Sequence, residues 1–148
     1  MTVKTRPKED TVTAPFIFIG THTFREGKLE EFKVGLKDFF EFVEANEPRL
    51  IAINFYVNEE GTELSVVQVH PDAASMEFHM QLLRERIKSS TGAFFDTKGI
   101  QVYGAASDGV LEMMRQLASA GAPLSVNPVH LGGFTRSQAE VASVTNSG

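Results

Sequence analysis

Residues 50–70, with the sequence LIAINFYVNEEGTELSVVQVH, contain two runs rich in β-branched and aromatic residues on either side of a short polar connector. The runs cover residues 50–58 and 63–70, and Gly61 in the connector provides the positive φ that a tight turn requires. This pattern predicts two strands that pair antiparallel as a β-hairpin.

Amphipathic helices are predicted on both sides of this hairpin. Residues 28–45 carry apolar side chains at helical spacing, and Pro48 ends the pattern. After the hairpin, Asp72 is a suitable N-cap for a second helix, which ends at residues 89–92, SSTG. The core-facing stripes of the two helices consist of Leu29, Phe32, Leu36, Phe39, Phe40 and Val43, and of Met76, Met80, Leu83 and Ile87.

Two further strands, one near the start of the chain at residues 16–24 (FIFIGTHTF) and one after the second helix at 99–105 (GIQVYGA), complete the order β-α-β-β-α-β. This order is typical of the ferredoxin-like α+β fold, in which a four-stranded antiparallel sheet carries both helices on one face. The predicted division of the chain is a disordered tail at 1–14, the ferredoxin-like domain at 15–106, a C-terminal helix plus extended strand at 107–136 packed on the same domain, and a second disordered tail at 137–148.

The strands are too apolar for a sheet with one face in water. Residues 16–19 (FIFI) and 50–53 (LIAI) are continuous apolar runs, which indicate burial on both faces. Because both helices occupy one face, we expect a second copy of the chain to cover the other, forming a two-fold symmetric homodimer and a dimeric α/β barrel. The C-terminal helix and strand are the alternative cover.

Composition excludes several classes of protein. The 148 residues carry a net charge of −5. This mild acidity argues against a nucleic-acid partner, because nucleic-acid-binding proteins present a basic face. No apolar run reaches the ~20 residues of a membrane helix and no secretory leader is evident, which predicts a cytoplasmic protein with no membrane partner. The chain has no cysteine, which excludes disulfides, thiolate nucleophiles and Cys-based metal sites.

Residues 68–79, QVHPDAASMEFH, resemble the signature of the antibiotic-biosynthesis-monooxygenase-like (ABM) superfamily, in which a strand is followed by Asp, small residues at a helix start and a helical His. Residues 27–32 (GKLEEF) and 47–48 (EP) also resemble this family. The resemblance implies a dimeric α+β barrel with a ligand pocket between sheet and helices. Its members include oxidoreductases that oxygenate quinols or polyketide aromatics without a cofactor.

His79 is the predicted catalytic residue. On a helical wheel it lies about 60° from the centre of the second helix's apolar stripe, at the boundary of the buried face. A neutral imidazole there can take a proton from a phenolic substrate, because its ordinary pKa lies near neutrality. The alternative is a half-buried histidine that only satisfies a backbone carbonyl.

Further polar side chains lie on the predicted strands. Because polar groups are costly to bury unpaired, there are three alternatives: they pair with each other across the hairpin, they face solvent, or they line a wet pocket. The candidate substrate-binding residues are His22, Asn54, Tyr56, Gln68, His70 and Tyr103. The four histidines show no local spacing typical of metal ligands, so no metal or other cofactor is predicted.

The resulting hypothesis is a homodimeric monooxygenase that acts on a small aromatic or apolar ligand. Gln68 and His70 stand where the family often has Glu and an aromatic residue, and no Trp is present. These differences favour the alternative, a non-catalytic ligand-binding or structural barrel.

Overall fold

The computed structural model describes residues 14–89, 94–118 and 121–136. The predicted tails, apart from Ala14, and the side chain of Ile87 lie outside this part of the chain. The described elements are β1 (Phe16–Phe24), α1 (Leu29–Val34), α2 (Leu36–Asn46), β2 (Ala52–Val57), β3 (Glu63–His70), α3 (Ala73–Ser89), β4 (Phe95–Tyr103), α4 (Asp108–Leu117) and β5 (Leu124–Asn127).

The strands form one mixed sheet in the order β2-β3-β1-β4-β5. The predicted hairpin is present, with β2 antiparallel to β3, and β1 pairs antiparallel with both β3 and β4. The appended β5 extends the edge by pairing parallel with β4. The α+β class and the ferredoxin-like arrangement are therefore confirmed, with one additional parallel strand.

The helical segment before the hairpin differs from the single helix predicted over residues 28–45. It consists of α1 and α2, which are separated at Gly35. A glycine inside a helix costs about 1 kcal/mol relative to alanine, and this position is where the helix is interrupted. The predicted apolar stripe nevertheless continues across the break, because Phe32 of α1 and Phe39 of α2 both pack against Phe55 of β2.

All four helical elements contribute to one layer on one face of the sheet. Met76 of α3 and Val110 and Met114 of α4 are buried in the same core as the inward-facing strand residues. Helix α4 therefore extends the helical layer and does not cover the opposite face. The strand residues in this core are Phe16, Phe18, Leu64, Val66, Ile100 and Val102.

The opposite sheet face, which we call the open face, carries the alternate side chains of the same strands. Ile17 and Ile19 of β1 lie there beside Val67 and Val69 of β3, and all four are only half-buried. Residues 129–135 reach one end of this face, where they border a cavity of about 490 Å³ together with Ile17 and Tyr103. Three apolar side chains of this segment remain largely exposed, namely Val129, Leu131 and Phe134.

Candidate functional site

Five polar side chains are buried between the sheet and the helices at one end of the layer. Each is at most 4% exposed, and they are Glu47, Gln68, His70, Ser75 and His79. Polar groups are costly to bury unless they are hydrogen-bonded, so their mutual geometry determines what this region can do.

Three elements bring these residues together. Glu47 is the C-cap of α2, and Gln68 and His70 alternate with outward residues on β3, so both face the helices. Ser75 and His79 are four residues apart on α3, which places them on the same side of that helix. The site is therefore assembled from the end of one helix, the end of the central hairpin and the first two turns of the next helix.

Glu47 and His79 form a buried carboxylate–imidazole pair. The Nδ1–H group of His79 donates to both carboxylate oxygens of Glu47, at 2.8 Å from Oε1 and 2.7 Å from Oε2. The side chains are only 1% and 2% exposed, so little water competes for these bonds. A carboxylate in this position fixes the orientation and tautomer of the imidazole, as in acid–base sites of many enzymes.

His70 is held by hydrogen bonds at both ring nitrogens. Its Nε2 lies 2.9 Å from Gln68 Oε1, and its Nδ1 lies 2.7 Å from Ser75 Oγ. Burial, reinforced by the nearby His79, lowers the pKa of His70 to about 3. His70 is therefore neutral at physiological pH, and its ring centroid is 5.8 Å from that of His79.

A cavity of about 380 Å³ opens beside this cluster, within the range of small-molecule sites. Glu47 and Ser75 line it, whereas His79 lies behind Glu47 and is not among the lining residues, which are Glu47, Pro48, Arg49, Leu50, Ala74, Ser75 and Phe78. At the rim, Arg49 forms an exposed ion pair with Asp72. Burial disfavours the charged form of Asp72, but hydrogen bonds from Arg49 and from the Ser75 backbone outweigh it and lower the Asp72 pKa.

Comparison with solved structures identifies the fold that carries this cluster. MupZ from Pseudomonas fluorescens superposes with a TM-score of 0.62 at 21% sequence identity, covering 83% of this chain and 95% of MupZ. A protein from Bacteroides thetaiotaomicron, named provisionally as an antibiotic biosynthesis monooxygenase, superposes with a TM-score of 0.50 at 14% identity, covering 64% of this chain and 90% of that protein. The chain has the ABM-like fold. No protein-family model and no curated protein matches the sequence.

Within the ABM-like fold, the predicted site residues fall into three places. His79, Gln68 and His70 meet in the buried cluster. His22 faces the same helical layer but at the far end of β1, where its Nδ1 is 3.2 Å from Thr97 Oγ1 and its ring packs 4.5 Å from Phe95. Burial lowers the pKa of His22 to about 4.

The remaining three predicted site residues lie on the open face, away from the buried cluster. Asn54 and Tyr56 are exposed there, Tyr56 to 60%, and the register places them opposite Val67 and Ser65. Tyr103 is half-buried and lines the cavity of about 490 Å³ at the end of the open face, together with residues 129–135. The structure therefore separates the six predicted binding residues into two faces of one sheet.

Sequence reasoning missed Glu47 and Ser75. Glu47 looked like part of a helix-terminating Glu-Pro pair, and its contact with His79 spans 32 residues, which no local spacing reveals. Ser75 looked like one of several small residues at a helix start. Only the alternation that placed Gln68 and His70 on one strand face was a usable signal, and Ser75 contacts the second of these residues.

The other half of the layer between helices and sheet in this ABM-like fold is filled by aromatic rings. Phe32 is central to it, with ring centroids 5.3 Å from Phe24, 5.7 Å from Phe94 and 5.8 Å from Phe95. Phe55 joins this group to Phe39 and Phe40 of α2. Here aromatic side chains of the protein fill the space between the helices and the sheet.

No group of three or more His, Cys, Asp or Glu side chains in the described ranges is placed to hold a metal ion. Among the helices of the described part, none combines the length and the apolar character that crossing a membrane requires.

Proposed function

We propose that the cavity beside Glu47 binds a small aromatic ligand with an acidic proton, and that the Glu47–His79 pair removes that proton. The observation that supports this most directly is that Glu47 belongs to the wall of a ligand-sized cavity and that its buried carboxylate accepts a hydrogen bond from a buried histidine. Glu47 is the member of the pair that contacts the ligand. His79 acts through Glu47, because its Nδ1–H group orients the carboxylate and stabilises its charge.

The finer proposal is a monooxygenase that needs no cofactor of its own. An anthrone or hydroquinone that loses a proton to Glu47 becomes an electron-rich anion, and this anion can reduce molecular oxygen directly. For an anthrone methylene the balance is R–CH2–R′ + O2 → R–CO–R′ + H2O, so one oxygen atom enters the product and the other leaves as water. The cavity lining is largely apolar, which suits the aromatic rings of such a ligand.

The test is oxygen uptake by the purified protein with anthrone and hydroquinone. We expect turnover to fall by about 100-fold or more in Glu47→Gln, the range typical of a lost general base. Gln can still accept the His79 hydrogen bond, so this variant should remain folded. His79→Asn should also lower turnover, whereas Glu44→Gln, at an exposed position of α2, should not. Wild-type rates in Glu47→Gln, or no uptake with either substrate, would refute the catalytic proposal.

A second candidate is a non-catalytic ligand-binding or structural barrel. The aromatic cluster supports it, because Phe32, Phe55 and their neighbours occupy space between the helices and the sheet that a large substrate would need. Under this alternative, aromatic ligands raise the thermal midpoint of unfolding equally in the wild type and in Glu47→Gln, and oxygen uptake is absent from both.

We further propose that the protein is a homodimer in which a second copy covers the open face. The half-buried Ile17, Ile19, Val67 and Val69 form a contiguous apolar surface on paired strands, and α4 lies on the other side of the sheet. Exposed contiguous apolar surfaces of this kind are typical of protein interfaces.

A further inference from the structure

We propose that Ser75 sets the ligand specificity of the cavity by accepting a hydrogen bond from the ligand, so that the site selects a hydroxyl or N–H group. This inference rests on ligand binding in the cavity described above and is independent of any turnover there. It makes Ser75 a specificity-determining residue that is fixed by His70 and Gln68 behind it.

The direction of each hydrogen bond follows from the geometry. Gln68 Oε1 is a carbonyl oxygen and can only accept, so the proton on His70 must be on Nε2, 2.9 Å away. In a neutral imidazole the other nitrogen is then an acceptor, so the Ser75 hydroxyl donates to Nδ1 across 2.7 Å. The single hydroxyl proton of Ser75 is used in this bond, so its oxygen has only its two lone pairs left to offer.

Glu47, the other buried polar residue that lines the cavity, is also biased toward accepting. Glu47 contributes a carboxylate, which accepts only. Two backbone donors of the lining residues are already used, because Leu50 N–H donates to Glu47 O and Ser75 N–H donates to Asp72 Oδ1. Arg49 also lines the cavity, and its guanidinium donors lie at the rim, where one of them binds Asp72. A ligand in this cavity therefore finds acceptors near Glu47 and Ser75.

The same contact does not make Ser75 a nucleophile. A general base is effective when its pKa lies near the working pH, and burial lowers the pKa of His70 to about 3. His70 therefore orients the Ser75 proton without removing it. Gln68 is neutral and cannot supply the negative charge that raises the basicity of a catalytic histidine.

Sites that hydrogen-bond a ligand hydroxyl discriminate strongly against analogues that lack it, because the buried protein groups are then left unpaired. The test uses 2-naphthol and 2-fluoronaphthalene, which have similar shape and differ in whether they carry a donor. Binding is measured by calorimetry without oxygen, so that turnover does not interfere. We expect the wild type to bind 2-naphthol at least about 10-fold more tightly, and Ser75→Ala to lose most of this preference.

Two further variants keep the test decisive. Ser65→Ala makes the same change on the open face and should retain the wild-type preference. Gln68→Glu places a carboxylate at His70 Nε2, which favours the protonated ring. Nδ1–H then donates to Ser75, and the hydroxyl proton becomes available to the ligand. This variant should bind 2-naphthaldehyde, an acceptor, more tightly than the wild type does.

Equal affinity of the wild type for 2-naphthol and 2-fluoronaphthalene, or no measurable binding of 2-naphthol, would overturn the inference. So would an unchanged preference in a folded Ser75→Ala protein or no gain for the aldehyde in Gln68→Glu. The proposed reaction fails separately: binding with the expected preference but no oxygen uptake leaves the specificity of Ser75 intact and removes the monooxygenase.

Discussion

His22 and His70 are both buried against the helical layer, and burial makes each a much weaker base than an ordinary histidine, with a pKa of about 4 and about 3 respectively. In the unfolded chain both recover a pKa near 6.5. Between pH 6.5 and about 4, the unfolded state therefore binds protons that the folded state does not. The contribution of these two histidines to the free energy of unfolding is fully present above the unfolded pKa of 6.5 and is lost as the pH falls below it.

We predict that the free energy of unfolding decreases between pH 6.5 and 5 by up to about 1.4 kcal/mol per pH unit for each of these histidines. Urea denaturation across this range measures the slope. His22→Gln should reduce it by about one histidine's contribution, whereas His130→Gln, at an exposed position, should leave it unchanged. A slope in His22→Gln equal to that of the wild type would contradict the assignment.

At the level of single residues, the sequence predicted the buried histidines better than their partners. The helical wheel placed His79 at the edge of the buried face, and strand alternation placed Gln68 and His70 on one face. Neither pattern reveals sheet register, however. Register pairs Phe16 with His70 and His22 with Leu64, so the two strand histidines lie about 20 Å apart along β1, from six residues at ~3.3 Å each.

Helix α3 positions both Ser75 and His79, so the way it begins matters for the site. Asp72, predicted as its N-cap, accepts a hydrogen bond from the Ser75 backbone at 3.0 Å and also pairs with Arg49. The exposed ion pair contributes little to stability, whereas a lost cap costs typically about 1 kcal/mol.

Asp72→Ala should therefore lower the free energy of unfolding by about 1 kcal/mol, and Asp72→Asn, which keeps the capping oxygen, by much less. Chemical denaturation at neutral pH compares the two. Asp96→Asn provides a control. Asp96 lies on strand β4, forms an exposed ion pair with Arg25 and caps no helix. Equal losses in Asp72→Ala and Asp72→Asn would show that the ion pair, rather than the cap, matters.

The order of elements was predictable because each boundary has a local chemical signal, such as Gly61 in the hairpin connector or Asp72 before α3. The break at Gly35 was missed because the apolar stripe keeps its helical period on both sides, so hydrophobic spacing alone does not show it. Periodicity reports which side chains face the core and does not report whether the backbone is continuous. The same reasoning could not identify Glu47 as a site residue, because Glu47 lies just beyond the end of α2 and outside the periodic pattern.

At the scale of the whole molecule, the two faces of the sheet have different roles. The helix-facing side holds the aromatic core and the buried polar cluster. The open face presents half-buried aliphatic residues and ends at the segment 129–135, which carries exposed Leu131 and Phe134. In a two-fold symmetric dimer the same surface patch of both copies forms the interface. The open face and the neighbouring apolar segment of both copies would then be buried in one contact.

Ile19 is the best position at which to test this assembly. It lies on the central strand β1, with Val67 on one side and Gln101 on the other, so a lysine there would place a charge within the proposed interface. Light scattering on the wild type should give twice the chain mass of 16.3 kDa. Ile19→Lys should shift the mass to that of a single chain, whereas Val34→Lys, at an exposed position of α1, should remain dimeric. A wild-type mass of one chain at micromolar concentration would refute the homodimer, because the open face would then be stable in water without a partner.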